Sequence, residues 1–201
     1  MIKSLRLAFK GSREYLHGTD FFNALTDAAQ EITGDPEASV ERLTFRRYAR
    51  LACDITTVPP VDPSMRTGQA RFKLPHGQSP MEAWLVETET PVTERRPFDE
   101  ALLLANASLD KNTSSACLLE RSVYTPIEDV IALTKHLNYF IAPNVVGQWA
   151  FGQLDLLEPL LDNYQALEIQ MKSIIANRYS VSDIQIDGRL IGSVRFIVGE
   201  P

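Results

Sequence analysis

Cysteine, histidine and long apolar runs are all scarce in this chain of 201 residues. It contains two cysteines and three histidines, and no apolar stretch approaches the ~18–20 residues of a membrane-spanning helix. The cysteines, Cys53 and Cys117, lie 64 positions apart with no CxxC spacing, which is typical of buried, reduced thiols. The histidines are 59 and 60 positions apart, so their spacing predicts no metal site.

Several common catalytic motifs are also missing. The chain has no glycine-rich phosphate loop, no HExxH and no GxSxG, so nucleotide hydrolysis, zinc-dependent proteolysis and serine hydrolysis lack their signatures. Its 20 basic and 26 acidic residues give a net charge of −6, which disfavours nucleic-acid binding. The N-terminal sequence MIKSLRLAFKG lacks the apolar core of a signal peptide, so we expect a cytoplasmic protein.

The apolar residues that are present follow two clear periods. They make up 44% of the chain, enough for one or two cores. Helical spacing predicts helices over about 20–32 and about 126–141, the second opened by the capping-box sequence Thr125-Pro126-Ile127-Glu128. Trp149–Leu156 is apolar and ambiguous. Alternation predicts strands at Ser4–Lys10, Arg42–Thr57, Gln69–Leu74, Met81–Thr88, Ser115–Val123 and Leu167–Ile175, and a hairpin turning at Asp187-Gly188.

The two halves of the chain share an order of elements. Each begins with a strand and a helix and continues with several strands, and Tyr15–Asp20 aligns with Tyr124–Asp129 at a constant offset of 109. This order predicts two similar units, residues 1–110 and 111–201. A single cone-shaped α+β barrel that binds a small hydrophobic ligand is the alternative.

A strand, one long apolar helix and a strongly curved antiparallel sheet, in that order, resemble the hotdog fold. The resemblance covers most of the chain and implies an α+β protein in which an antiparallel curved sheet wraps around long helices, in two fused repeats. It also implies binding, and dehydration or hydrolysis, of an acyl thioester linked to coenzyme A or to an acyl-carrier protein. The histidine- and proline-bearing signatures of hydroxyacyl thioester dehydratases are absent, so a non-catalytic binding or assembly protein is a second hypothesis. Exposed strand edges favour a homodimer.

The candidate catalytic residues lie where the two predicted helices begin. His17 precedes the first helix beside Gly18, where backbone amides can approach a ligand and an imidazole can exchange a proton near neutral pH. Asp20, Glu128 and Asp129 fall in the first turns of the two helices, where the helix dipole stabilises a carboxylate. The hotdog resemblance implies acid–base residues that face each other between units, which would set His17 against Glu128 or Asp129. Each of these four side chains also has a structural interpretation, in which it caps its helix or interacts with the helix dipole.

Three arginines recur every four residues. On one strand, Arg42, Arg46 and Arg50 would share a face and could bind the phosphates of coenzyme A or of a phosphopantetheine arm. The alternative is a solvated strand face paired with acidic neighbours such as Glu82. Neither a resident cofactor nor a metal is predicted.

Overall fold

The computed structural model describes residues 1–199, which divide into two compact units. The first unit is Met1–Phe98, and the second begins at Asp99. Each contains one long helix and one antiparallel sheet, so the α+β class expected from the sequence is confirmed. None of the helices among the described residues combines the length and the apolarity needed to cross a membrane.

The first unit builds its main sheet from five strands, in the order β1-β4-β6-β5-β3. A separate parallel pair joins β2 to β7, and a short 3-10 turn covers Pro63–Met65. The elements in chain order are β1 (Ile2–Ser4), β2 (Phe9–Lys10), α1 (Gly18–Thr33), β3 (Ser39–Phe45), β4 (Leu51–Thr56), β5 (Arg66–Lys73), β6 (Met81–Pro91) and β7 (Arg95–Arg96).

The second unit has a six-stranded antiparallel sheet in the order β10-β13-β12-β11-β9-β8. Asp187 and Gly188 both have positive φ, 50° and 76°, as a two-residue type I′ turn requires, which confirms the predicted hairpin. The elements are α2 (Glu100–Leu104), β8 (Ala107–Asp110), β9 (Ser115–Leu118), α3 (Pro126–Ile141), β10 (Gln148–Leu156), β11 (Leu167–Ile175), β12 (Tyr179–Ile186) and β13 (Arg189–Gly199).

Both long helices form where the helical spacing predicts them. The apolar side of α1 is buried and packs on β3, and the helix ends at Gly34, which takes the left-handed conformation at φ 78°. The capping box expected at the start of α3 is present, and this helix packs on β9, β10 and β11. The buried side chains are Phe21, Phe22, Leu25, Ala28, Ala29 and Ile32 on α1, and Ile127, Val130, Ile131, Leu133 and Leu137 on α3.

The prediction of one long strand over Arg42–Thr57 is wrong. The segment forms β3 and β4, separated by residues 46–50. The Glu87 carboxylate accepts from the backbone amides of Arg50 (2.5 Å) and Leu51 (2.8 Å) and from the Arg47 guanidinium. These amides bond to a side chain instead of a neighbouring strand, so the ladder is interrupted there.

Two other predicted strands are shorter than expected. The segment Ser4–Lys10 is divided between β1 and β2, because Phe9 and Lys10 pair with Arg95 and Arg96 rather than with the main sheet. The predicted strand over Ser115–Val123 ends at Leu118 as β9.

The two units differ in how their strands are ordered. In the first, β4 pairs with β6 and β5 lies beyond it; in the second, β11, β12 and β13 are successive neighbours. The helix and the antiparallel sheet are common to both units. The two-repeat interpretation, with units at 1–110 and 111–201, stays a prediction.

Candidate active site at the N-terminus of α1

A buried lysine lies where α1 begins. Lys10 is 4% exposed, and its Nζ donates to Thr19 Oγ1 at 2.8 Å and pairs with Asp20 Oδ1 at 2.8 Å. The same ammonium lies 5.0 Å from the centre of the Phe98 ring. Burying a charge is costly unless it is paired and hydrogen-bonded. Asp20 therefore serves as the counter-ion of Lys10.

His17 occupies the N-cap position of α1, which begins at Gly18, two residues before the predicted start at about 20. Its Nδ1 lies 2.8 Å from Thr19 Oγ1, and its half-buried ring lies 6.2 Å from the Phe98 ring, centre to centre. Thr19 is fully buried, and its oxygen already accepts from Lys10. The hydroxyl proton of Thr19 is best satisfied by the lone pair of His17 Nδ1. In a neutral imidazole that accepts this proton the ring proton is on Nε2, and in the other tautomer Nδ1–H donates to Thr19 instead.

Gly18 is the first residue of α1 and follows the imidazole directly. The Asp20 amide donates to the His17 carbonyl at 3.0 Å, which closes the first turn. The first amides of any helix point away from its body and carry partial positive charge. His17 therefore lies beside the positive end of the α1 dipole.

Glu128 and Asp129 lie at the start of α3, in the second unit. Glu128 Oε2 accepts from both the amide and the hydroxyl of Thr125, at 2.8 Å each, which is the capping box. Asp129 is fully buried and accepts from the Ser122 hydroxyl at 2.5 Å and from the Tyr164 hydroxyl. Both carboxylates thus hold local structure, and their pairing with His17 stays a prediction.

Burial dominates the electrostatics of Asp129. Desolvation raises its pKa above the ordinary value, although the bonds from Ser122 and Tyr164 act in the opposite direction. The pKa of Tyr164 is raised as well, first by burial and then by its bond to Asp129. By accepting from Ser122 and Tyr164, Asp129 ties the segments that precede α3 and β11 to the first turn of α3.

The predicted row of arginines does not lie on one strand. Arg42 is on β3, whereas Arg46 and Arg50 fall in the connection between β3 and β4 that Glu87 organises. All three side chains are exposed. Their role in binding phosphate stays a prediction. No group of three or more His, Cys, Asp or Glu residues within 1–199 could hold a metal ion.

Lys10 and Thr19 are the site residues that the sequence does not reveal. In the alternating pattern of Ser4–Lys10, Lys10 falls on the polar side, where a lysine is expected to be solvated. The sequence offers one hint of the Thr19 contact, its position two residues after His17, but this spacing alone does not predict the bond.

No family model and no curated protein matches this chain. Solved structures match it at low sequence identity. The dehydratase domain of PpsC from Mycobacterium tuberculosis, in complex with C12:1-CoA, gives a TM-score of 0.52 at 7% identity, over 92% of this chain and 85% of that one. A conserved protein of unknown function with a hot dog fold, from Alicyclobacillus acidocaldarius, gives a TM-score of 0.52 at 10% identity, over 100% of this chain and 93% of that one. The chain has the hotdog fold.

A third hotdog neighbour is a protein assigned as a thioesterase II from Thermobifida fusca YX. It gives a TM-score of 0.50 at 13% identity, over 99% of this chain and 92% of that one. At these identities the neighbours share the fold, which confirms the hotdog resemblance drawn from the order of elements.

Proposed function

We propose that this hotdog protein binds an acyl thioester, linked to coenzyme A or to an acyl-carrier protein, and hydrolyses or dehydrates it with His17 as an acid–base residue. The observation that carries the proposal is the imidazole at the N-terminus of α1, held through Nδ1 by a buried threonine. Hotdog neighbours described as a thioesterase and a dehydratase domain support the substrate class.

The hydrogen bonds around Thr19 define what His17 can do. With the Thr19 proton directed at Nδ1, Nε2 carries a proton and presents a donor. Such a donor can stabilise negative charge on the thioester carbonyl oxygen. In the other tautomer, with Nδ1–H donating to Thr19, Nε2 presents a lone pair that can take a proton from water or from the substrate and return it to the leaving group. Lys10 donates to the same hydroxyl, which polarises it and strengthens its bond to the imidazole.

The charges around the site favour an anionic intermediate. The positive end of the α1 dipole lies beside His17, and the Lys10 ammonium is two hydrogen bonds from the ring. The dipole stabilises negative charge as it develops on an enolate or a tetrahedral oxyanion, whereas the charge of the ammonium is already balanced by Asp20. The amide of Gly18, which is half-buried, is the backbone donor that we assign to that oxygen.

A thermal-shift screen with coenzyme A and acyl-CoAs of short, medium and aromatic chains tests substrate binding. Ligand at 100-fold excess over Kd stabilises by about 2.7 kcal/mol, so the melting temperature should rise by roughly 5–11 °C. We expect a rise with one acyl class and turnover of that compound. No rise with any acyl-CoA or with acyl-carrier protein loaded with the same chains would contradict the proposal.

His17→Gln tests catalysis. It should lower turnover by about 100-fold or more, because positioned proton transfer contributes at least that factor, and should change the melting temperature by less than ~3 °C. His76→Asn is the matched control: His76 is exposed, and its φ of 56° is one that asparagine tolerates. Turnover that survives in His17→Gln would remove His17 from the mechanism. Binding without any product in the wild type would favour the non-catalytic hypothesis.

A further inference from the structure

Four buried polar side chains in the second unit make no hydrogen bond to any part of the chain within 1–199. Asn138 on α3 is fully buried, and neither its Oδ1 nor its Nδ2 has a partner. The same holds for the hydroxyls of Ser180 and Ser182 on β12, which are also fully buried. The indole nitrogen of Trp149 on β10 is the fourth such group.

These side chains lie on the faces that form one core. Ser180 and Ser182 share the buried face of β12 with Ile184 and Ile186, and α3 packs against both β12 and β10. The Tyr139 hydroxyl accepts from the Trp149 amide at 3.4 Å, which places the last turns of α3 beside the start of β10. Asn138 is the residue before Tyr139.

The strand register brings the start of β10 close to the start of β12. Trp149 pairs with Val198 of β13, and the Val198 amide donates to the Arg178 carbonyl at 2.8 Å. Ser180 follows Arg178 by two residues. The polar groups of β10 and β12 are therefore concentrated at one end of the sheet, where Asn138 also lies.

A cleft of about 670 Å³ lies at the same end of the second unit. Along the chain, Trp149 is two residues after Gly147 and Ser180 is two residues after Arg178, and both of these neighbours line the cleft. Arg178 is the one charged residue among the described residues that line it. The lining consists of residues 144–147, 176–178 and 198–199.

Leaving these groups without partners would destabilise the fold, whereas apolar side chains at the same positions would not. The amide oxygen needs a donor, the indole and amide nitrogens need acceptors, and the hydroxyls can use either. Water is the smallest molecule that supplies both. We propose that this core binds a small cluster of ordered water molecules that bridges Asn138, Ser180, Ser182 and Trp149 and exchanges with solvent through the cleft.

Alanine variants test this site, because bound water and a dry core predict changes in melting temperature of opposite sign. If the two hydroxyls bind water, Ser180→Ala and Ser182→Ala should each lower the melting temperature by about 2–4 °C. If the hydroxyls are dry and without partners, the same substitutions remove a destabilising group and raise it. Ser193→Ala on β13 is the matched control, because Ser193 is half-buried on the opposite face of that sheet, and we expect a change below ~1 °C. An unchanged or raised melting temperature in both core variants would overturn the proposal.

A crystal structure of the wild-type protein at a resolution that shows ordered water provides the direct readout. We expect at least one water molecule within hydrogen-bond distance of both the Asn138 amide and the Ser180 or Ser182 hydroxyl. A core without water, or one filled by another molecule, would overturn the proposal. Neither measurement involves His17 or turnover, so this site and the proposed function can fail separately.

Discussion

Replacement of Glu87 by alanine should destabilise the first unit through the connection between β3 and β4. The Glu87 carboxylate accepts from two backbone amides, of Arg50 and Leu51, and from the Arg47 guanidinium. A hydrogen bond to a charged group contributes about 1.5–3 kcal/mol, and a partly exposed ion pair at most about 1 kcal/mol. We therefore expect Glu87→Ala to lower the free energy of unfolding by about 4 kcal/mol, or roughly 8–16 °C in melting temperature.

The pH dependence provides a second arm of that test. Burial opposes ionisation of Glu87, but the two amides and Arg47 prevail and hold its pKa below the ordinary 4.5. A group with a lowered pKa stabilises the fold above its unfolded value and loses that contribution as the pH falls through the folded one. The difference between wild type and Glu87→Ala, measured by urea unfolding, should therefore shrink below pH 4.5.

The control for this experiment lies on the same strand. Glu82 on β6 contacts Arg71 and Gln69, but its side chain is about one-third exposed. Glu82→Ala should cost less than about 1 kcal/mol because exposed ion pairs contribute little. The reasoning is refuted if Glu87→Ala lowers the melting temperature by no more than Glu82→Ala does, or if its effect is the same at pH 3 and pH 7.

Four other substitutions or treatments have defined outcomes. Burial, aided by the Glu87 charge, raises the pKa of Cys53 to about 12. Iodoacetamide at pH 8 should therefore modify the half-buried Cys117 first, as followed by mass spectrometry. Equal modification of both cysteines would contradict this prediction. Thr125→Ala removes the capping box of α3 and should lower the free energy of unfolding, measured by thermal denaturation, by about 1 kcal/mol. An unchanged free energy of unfolding would show that the capping box does not stabilise the fold. A Cβ at Gly192 would lie 2.2 Å from the Asp155 carbonyl oxygen, so Gly192→Ala should destabilise markedly, and an unchanged melting temperature would contradict this contact. The pKa of Asp129 is raised, so the stability that its protonated form contributes is lost as the pH rises through that pKa. Asp129→Asn should therefore make the free energy of unfolding depend less on pH above pH 4. An unchanged pH dependence in this variant would contradict the prediction.

Local sequence signals were sufficient for the long helices and for the last hairpin. The capping box at Thr125 and the two left-handed residues at Asp187-Gly188 act through neighbours within three positions, so they can be read directly. The apolar segment Trp149–Leu156 was ambiguous because its period fits either element. It is a strand because residues 148–156 pair with β13, some 40 positions further along the chain.

The features that the sequence did not reveal depend on distant partners. The break between β3 and β4 is caused by Glu87, 37 residues from the Arg50 amide that it binds. Lys10 is buried because folding brings Thr19, Asp20 and Phe98 around its ammonium, and no alternating pattern encodes such a contact. The position of His17 before α1 was predictable, but the threonine that fixes its ring was not.

The order of strands in the first sheet governs how a growing chain can assemble. The centre of that sheet is β6, which is synthesised after β1, β3, β4 and β5. Until residue 91 has left the ribosome, β4 lacks the partner on one side and β5 has only β3, so unpaired strand edges are exposed for much of translation. The second sheet adds β12 and β13 as successive hairpins, each beside a strand already made. Completion of the first sheet thus waits for its central strand, and the edges of β4 and β5 are open to aggregation until that strand is made.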